Sequence, residues 1–318
     1  MRRIGGFVKV AASTLGLLVA VGLAGVQPAG ALDTLSCGAV VTTSIVLAND
    51  IGPCNDDGIK VGADNVTIDL NGHQVFGTGG ANVPHQAAGV YSDNHTGVVV
   101  KNGTIHDFYH GVRIRRGSGN RVTGLTVRDN IGGNGIVLET SSDNLVDRNV
   151  VVHNGRFSGI ATFNTVFLPP AAARNTISDN ILYLNNGSLF GSPRAHGIAI
   201  ENGPGHVVLR NQIDSSGRDG ITLFGGVTNT LVEGNYVTRS GNNGINIRSG
   251  ATNNVVRSNQ TARNLHRGIV VAGQSNEIRL NLSARNSQFD LQDTNPACDN
   301  NVWSGNTGGT ATPACTRA

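Results

Sequence analysis

The chain has 318 residues, of which 14% are charged and only 4% are aromatic, and its formal net charge is +3. Part of that charge lies in the first few residues, so the balance does not indicate a nucleic-acid partner. The chain is too apolar to be disordered, yet too poor in aromatic residues for one large globular core.

The start of the chain has the pattern of an export signal. Two arginines precede an apolar stretch from Val8 to Val26, and Ala29-Gly30-Ala31 offers a cleavage site. A transmembrane anchor is the alternative, but a run rich in Gly and Ala that ends in a cleavage signal favours export. We therefore predict a signal peptide over residues 1–31, a secreted mature chain, and no membrane association after cleavage.

Four cysteines lie in two local pairs near the ends of the mature chain. An even number of cysteines in an exported chain favours disulfides, so we predict Cys37–Cys54 and Cys298–Cys315. Zinc binding is the alternative, but no Cys-x-x-Cys and no nearby histidine spacing supports it. The cysteine pairs mark an N-terminal cap over residues 32–57 and a C-terminal cap over residues 291–318.

Between the caps, over residues 58–290, a short motif recurs in which glycine is followed by Ile or Val. The usual step is 22 to 24 residues, and two steps are longer. Its glycines are Gly58, Gly89, Gly111, Gly135, Gly159, Gly197, Gly220, Gly244 and Gly268. Asparagines recur at two other phases, for example Asn149, Asn180 and Asn211 at one and Asn130 and Asn154 at the other. Each repeat therefore holds about three short strands separated by turns.

Strands this short cannot bury their apolar side within one repeat, so successive repeats must stack about 4.8 Å apart. Asparagines in equivalent turns can then hydrogen-bond from coil to coil. The mature chain shows no helical period. We predict an all-β, single-stranded parallel β-helix of about nine or ten coils. A leucine-rich repeat would need several leucines at fixed positions, and a β-propeller would need about 40 residues per blade.

The Asn…Asn…Gly-Ile-x-Ile pattern resembles the repeat of the pectate-lyase-like superfamily, including its NosD-like and carbohydrate-binding/sugar-hydrolase subset. The resemblance covers roughly residues 58–290. It implies a right-handed parallel β-helix that binds or acts on polysaccharide. It also allows Ca²⁺ as a cofactor, although the Ca²⁺-binding Asp cluster of pectate lyases is not recognisable, and we predict no metal ligand. Ala195–Ile200 is similar to the His-Gly motif of polygalacturonases, but their catalytic carboxylates are missing.

Residues two and four positions after each repeat glycine are expected to face solvent. Stacking places them in two columns. The first column is Arg113, Val137, Ala161, Ala199, Thr222, Asn246 and Val270, and the second is Arg115, Glu139, Phe163, Glu201, Phe224, Arg248 and Ala272. The middle of the first column is small, so it predicts a groove floor, with Phe163 and Phe224 as platforms for sugar rings.

Three expanded turns flank this sheet and predict the walls of a cleft. Residues 79–87 and 185–195 lengthen the turn before the Gly-Ile strand. Residues 164–173, including Phe167, Pro169 and Pro170, lengthen the turn after it. Loops on a rigid scaffold often carry function. Insertions tolerated by a solenoid are the alternative interpretation.

Six of the nine histidines lie in or beside the turn before the Gly-Ile strand, together with several arginines and Asp219. These histidines are His85, His106, His110, His153, His196 and His266. Such a rim could bind an acidic polysaccharide and abstract a proton beside a uronate carboxylate. Solvated turn residues are the alternative interpretation. Our candidate catalytic residues are His196, Asp219, Glu201 and His153, and our candidate substrate-binding residues are Arg113, Arg156, Arg218, His110, Phe163 and Phe224.

Two hypotheses about function follow. The first is a lyase, hydrolase or epimerase acting on an extracellular, uronate-bearing polysaccharide. The second is a non-catalytic β-helix that binds glycans or other surface partners, with NosD-like metal delivery as a third interpretation of the histidines. Convergence of His196, Glu201 and Asp219 in one cleft would favour the enzyme. In either case we expect a monomer with polysaccharide as its partner.

Overall fold

The computed structural model describes residues 32–79, 85–164, 172–187 and 195–317. The predicted signal peptide lies outside the described residues. So do the central parts of the three expanded turns, with Phe167, Pro169 and Pro170. None of the helices in the described ranges could span a membrane.

One sheet contains a single strand from each coil. Its twelve strands are Ala39–Val41, Ile59–Val61, Ala88–Asp93, His110–Arg115, Asn134–Glu139, Ser158–Phe163, His196–Glu201, Ile221–Phe224, Ile245–Ile247, Arg267–Val271, Phe289–Asp293 and Ala311–Thr312. We call it the twelve-strand sheet. Its strands show that the solenoid has more coils than the predicted nine or ten. Both end segments contribute strands that lack the Gly-Ile motif.

The other two sides of each coil belong to a 21-strand sheet. Its strands are Leu32–Asp33, Ile45–Leu47, Ile51–Cys54, Thr67–Asp69, Gln74–Gly77, Val99–His106, Arg121–Arg128, Leu145–Asp147, Val150–Val152, Thr176–Ser178, Ile181–Tyr183, Val207–Leu209, Gln212–Asp214, Leu231–Glu233, Tyr236–Thr238, Val255–Arg257, Gln260–Ala262, Glu277–Arg279, Leu282–Ala284, Val302–Ser304 and Thr307–Gly308. Two 3₁₀ helices, Pro296–Cys298 and Ala314–Arg317, lie near the C-terminus.

Neighbouring coils pair in parallel and in the register that the repeat predicts. Arg113 pairs with Val137, and Val137 pairs with Ala161. The same column continues through Ala199, Thr222, Asn246 and Val270. The all-β parallel β-helix predicted from the sequence is therefore confirmed, and its first column stacks in register. Most of that column is buried rather than exposed to solvent, with Val137 and Thr222 fully buried.

The interior consists of stacked aliphatic side chains. Val112, Ile136, Ile160, Ile198 and Ile221 succeed one another through the coils and are fully buried. Each buried side chain of this size contributes roughly 1.5–3 kcal/mol through removal of apolar surface from water. The core therefore depends on stacking, since one coil alone could not enclose these side chains.

Asparagine ladders run along the turns, as predicted. The Nδ2 atoms of Asn180, Asn211 and Asn235 donate to the Oδ1 of the asparagine one coil on, at 2.9–3.0 Å. The backbone amides of the same residues donate to the same oxygens. These bonds satisfy backbone groups that the turns would otherwise leave unpaired in the interior.

Both predicted disulfides are present, and each links cysteines 17 residues apart. Cys37 is bonded to Cys54, and Cys298 is bonded to Cys315. A disulfide stabilises a fold mainly by restricting the unfolded chain. At the ends of a solenoid the two bridges hold coils that have a stacking neighbour on only one side.

Candidate functional site

A cleft of about 510 Å³ lies on the outer face of the twelve-strand sheet, over the strands that begin at His110, Asn134, Ser158 and His196. It is lined by Gln86, Tyr109, His110, Asn134, Arg156, Phe157, Ser158, Ala161, Phe163, His196, Ala199, Glu201, Arg218 and Phe224. Seven of the ten catalytic and substrate-binding residues predicted from the sequence are in this set.

The cleft has a floor of small apolar side chains. Val137, Ala161 and Ala199 form a buried cluster on the outer face of the sheet, and Phe163 and Phe224 pack against it. Small residues in adjacent coils keep the centre of the floor low, while the two phenylalanines stand beside it. This surface suits the apolar face of a sugar ring.

His196 and Asp219 meet at one edge of the cleft. The Nδ1 atom of His196 lies 3.5 Å from Oδ2 of Asp219, which occupies the equivalent position one coil on. Asp219 is fully buried beneath the cleft surface. Its oxygens accept hydrogen bonds from the side chains of Asn242, Asn243 and Asn246, and from the backbone amide of Asn243. Four donors hold this carboxylate in one orientation.

The two cleft histidines are held neutral by burial. Burial lowers the pKa of His196 to about 4, with Arg218 and Arg248 adding to the effect and Asp219 partly opposing it. Burial, helped by Arg113, lowers the pKa of His110 to about 3. The Nδ1 of His110 accepts the backbone amide of Asn134. Near neutral pH both imidazoles therefore carry a lone pair and one N–H.

Glu201 stands at the opposite edge of the cleft from His196. In the second column, Glu201 lies between Phe163 of the preceding coil and Phe224 of the following coil. Burial raises the pKa of the Glu201 carboxyl. No described residue forms a hydrogen bond or ion pair with that carboxyl. Its strand begins at His196, and five residues of extended chain separate the two Cα atoms by roughly 16 Å, so Glu201 does not converge with the His196–Asp219 pair.

Arginine side chains give the His196 edge of the cleft a positive charge. Arg156 and Arg218 both line it, and the Arg156 guanidinium lies 5.8 Å from the ring centroid of Phe157. Arg218 is exposed and forms no ion pair with a described residue. An unpaired guanidinium at the edge of a concave surface is suited to a carboxylate ligand.

Two predicted site residues lie elsewhere. His153 points away from the cleft, with its Nδ1 3.2 Å from Asp129 Oδ1. Arg113 bonds through Nη2 and Nε to Oε2 of Glu139, at 2.7 and 3.0 Å. The Arg113 charge is therefore paired with Glu139 within the sheet. Of the six rim histidines, only His110 and His196 line the cleft.

Several cleft residues were not anticipated as site residues, above all Tyr109 and Phe157. Their repeat phase is the signal that could have found them, since Phe157 and Arg218 both directly precede the residue that leads into the Gly-Ile strand. Gly132 and Gly133 make room for this end of the cleft. A Cβ at Gly132 would overlap the Tyr109 ring, and one at Gly133 would overlap the His110 ring.

Within the described ranges, no three His, Cys, Asp or Glu side chains are grouped so as to hold a metal ion.

The family described as "Right handed beta helix region" matches residues 40–228 and 186–312. Among solved structures, the chain is similar to the A-module of the Azotobacter vinelandii mannuronan C-5 epimerase AlgE4. The identity is 12%, the TM-score is 0.57, and 88% of each chain is covered. It is also similar to a double mutant of the periplasmic alginate epimerase AlgG. There the identity is 15% and the TM-score is 0.59, with 84% of this chain and 76% of that chain covered. Curated protein sequences contain no match.

Proposed function

Because the chain belongs to the right-handed β-helix family, we propose that it is an exported protein that acts on an acidic polysaccharide as a lyase or epimerase. The observation that carries the proposal is the His196–Asp219 pair at the arginine-lined edge of a cleft with an apolar floor. The named structural neighbours are alginate epimerases, and the two disulfides suit an oxidising compartment.

Substrate binding in this proposal uses three features of the cleft. Sugar rings lie on the floor around Ala161 and Ala199, with Phe163 and Phe224 beside them. A uronate carboxylate lies against Arg218. The guanidinium neutralises the carboxylate, and this makes the hydrogen on the neighbouring ring carbon more acidic.

Proton abstraction is assigned to His196. Its Nδ1 faces the Asp219 carboxylate, which leaves Nε2 for the substrate. Nε2 takes the proton from the carbon next to the uronate carboxylate, and Asp219 stabilises the imidazolium that forms. In a lyase the electron pair then expels the glycosidic oxygen, which takes up a proton from solvent. In an epimerase a water molecule returns a proton to the opposite face of the same carbon.

A hydrolase fits the cleft less well. Glycoside hydrolysis usually needs two carboxyl groups flanking the bond, about 5–10 Å apart. Glu201 is the one carboxylate among the described cleft-lining residues. Asp219 is fully buried, and its oxygens are occupied by asparagine donors. We therefore assign proton abstraction rather than acid–base hydrolysis.

A non-catalytic glycan binder is the second candidate. It is favoured by the small exposed fraction of His196, 8%, and by the separation of Glu201 from that histidine. A binder would use the same floor, phenylalanines and arginines without chemistry at His196.

The deciding experiment incubates the purified mature chain with a panel of polyuronates and neutral glucans in deuterated water. Deuterium incorporation at the carbon beside the carboxylate indicates proton abstraction, and ultraviolet absorbance of an unsaturated uronate identifies a lyase. The His196→Gln variant should lose both signals while retaining the bound fraction of polysaccharide. Binding without deuterium exchange on any polyuronate would overturn the enzyme in favour of the binder.

A further inference from the structure

A second groove, of about 350 Å³, lies on the 21-strand sheet, away from the cleft. It crosses the strands Tyr236–Thr238, Gln260–Ala262 and Leu282–Ala284, and the turns that follow them. These strands pair in register, so the groove runs from coil to coil along the axis of the solenoid. It shares no residue with the cleft on the twelve-strand sheet.

The groove has a floor of short side chains and one partly apolar wall. Thr238, Ala262 and Ala284 form the floor. Tyr236 and Leu282 stand on the wall and are 49% and 46% exposed. An exposed tyrosine beside a flat floor is suited to stacking against the apolar face of a sugar ring.

The opposite wall is a column of three exposed arginines. The backbone amide of Arg239 donates to the carbonyl of Ala262, and that of Arg263 donates to the carbonyl of Ala284. The three arginines are therefore successive neighbours, about 4.8 Å apart along the backbone. Arg239 forms an ion pair with Asp214. Arg263 and Arg285 have no ion-pair partner among the described residues.

The ion pairing of arginines in other turns adds a second observation. Arg263 and Arg285 have φ angles of 56° and 59°, the left-handed conformation that this turn adopts in every coil from Asp107 to Arg285. Arg174 and Arg210 also have positive φ, but each forms a two-bond ion pair with an aspartate one coil before it. No such pair accounts for the arginines at positions 263 and 285, and their stacked charges repel each other.

We propose that this groove binds a linear anionic polysaccharide that lies along the solenoid axis. Successive carboxylate or sulfate groups pair with Arg263 and Arg285, and a sugar ring stacks on Tyr236. The coil spacing is close to the length of one pyranose ring. A polysaccharide with one charge on each ring therefore has charges spaced like the arginines of the column. This site is independent of chemistry in the cleft and would hold a polymer whether or not the cleft is catalytic.

The test measures the affinity of the full mature chain for polygalacturonate, dextran sulfate, neutral dextran and a single-stranded DNA oligonucleotide at several salt concentrations. The R263Q/R285Q double variant is compared with R174Q/R210Q, which removes the same charge from positive-φ turns elsewhere. Thermal melting checks that both variants are folded. Both pairs are also made in an Arg218→Gln background, which separates the groove from the cleft.

We expect R263Q/R285Q to weaken binding to the anionic polysaccharides about tenfold or more in both backgrounds, and to reduce the dependence of affinity on salt. R174Q/R210Q should stay within about twofold of the parent. Preference for polygalacturonate over dextran sulfate, or the reverse, identifies the anionic group. Tyr236→Ala should weaken saccharide binding with an unchanged salt dependence.

Three results would overturn the proposal. The first is that no polyanion binds the parent chain. The second is that R263Q/R285Q binds as well as its charge-matched control. The third is that DNA binds more tightly than the polysaccharides and loses the same factor in the variant, which would make the groove a nucleic-acid site.

Discussion

The imidazole of His196 lies with Nδ1 3.5 Å from the Asp219 carboxylate, although the two residues are 23 positions apart in the chain. One turn of the solenoid separates them, so each is a neighbour of the other only because the coils stack in register. The aspartate is fully buried and held by three asparagines from the coil beyond it. Stacking thus brings His196 next to Asp219, and it brings Asp219 next to the asparagines that hold it.

The first prediction concerns this pair. Asp219→Asn replaces an oxygen that accepts from asparagine amides with an NH₂ group, so two donors will face each other in a buried site. We expect a loss of about 1–3 kcal/mol in the free energy of unfolding. We also expect the nitrogen NMR shifts of the His196 ring to change, because its Nδ1 lies 3.5 Å from the Asp219 carboxylate.

The control for that variant is Asp179→Asn, which removes an exposed carboxylate paired with Arg210. It should cost at most about 1 kcal/mol and leave the His196 spectrum unchanged. In deuterium exchange on polyuronates, Asp219→Asn should lower kcat with little change in KM, because Asp219 positions the base and does not contact substrate. Unchanged nitrogen shifts at His196 would contradict the assigned pairing.

The second prediction concerns Glu201. Its carboxyl has a pKa raised by burial, and when ionised it lies in a cleft proposed to bind a polyanion. Glu201→Gln should tighten polyuronate binding near neutral pH by about 1 kcal/mol, roughly fivefold. In the parent chain, affinity should rise as pH falls towards the raised Glu201 pKa, since protonation removes the repulsion. The variant should lose that trend.

The matched control is Glu233→Gln, which removes the same charge from the 21-strand sheet, where Glu233 pairs with Arg257. It should alter neither the affinity of the cleft nor its pH dependence. Titration calorimetry with a short oligouronate provides the measurement. Equal affinities for Glu201→Gln and the parent at all pH values would place Glu201 outside the ligand's reach.

The third prediction concerns stability in acid. His206 occupies a turn position where the same ladder elsewhere has asparagine, and its Nδ1 lies 3.3 Å from the Asn175 amide that it accepts. Burial lowers its pKa from 6.5 to about 4. Between those values the unfolded chain binds a proton that the native chain excludes. The contribution of His206 to the free energy of unfolding is therefore fully present above about pH 6.5, and it is lost as the pH falls to about 4.

For one such group the loss between pH 7 and pH 5 is about 2 kcal/mol. His206→Asn should remove that share, because an asparagine oxygen can accept the same amide without titrating. Urea unfolding at the two pH values measures the change, and His153→Asn, at an exposed histidine, is the control. His110 and His196 retain their own contributions, so the variant keeps part of the acid dependence. An undiminished loss in His206→Asn would refute the assignment.

The repeat predicted the fold and half of the site, because stacking makes residues at equivalent positions of successive repeats neighbours in space. Recurring glycines 22 to 24 residues apart placed Val137 beside Ala161, and His196 beside Asp219. Phase does not reveal diagonal partners, however. Arg113 and Glu139 stand in different columns, and the ion pair between them was therefore missed.

Turn conformation was the second limit on prediction. His153 has a φ of 57°, and its side chain contacts Asp129 rather than the cleft. A histidine in a left-handed turn and one at the start of a strand look alike in a sequence, although their side chains point to different surfaces. The coil count fell short for a related reason, since the end coils at Ala39–Val41 and Phe289–Asp293 lack the Gly-Ile signal.

The fourth prediction tests the ladder that makes all these neighbours possible. Asn235 accepts the backbone amide and the Nδ2 of Asn211 on one side, and donates to Asn259 on the other. Asn235→Ala leaves the backbone amide of Asn211 buried and unpaired, and it removes one of the two acceptors of the Asn211 Nδ2 group, which keeps its bond to the carbonyl of Ile177. Each unsatisfied N–H costs about 1–3 kcal/mol, and the variant also loses the bond that Asn235 donates to Asn259. We expect a loss of roughly 3 kcal/mol or more in urea unfolding. Exposed Gln212, which follows Asn211 and begins the strand Gln212–Asp214, is the control, and its change to Ala should alter the free energy of unfolding by no more than about 0.5 kcal/mol. Equal stabilities for the two variants would mean that apolar stacking alone holds the coils in register.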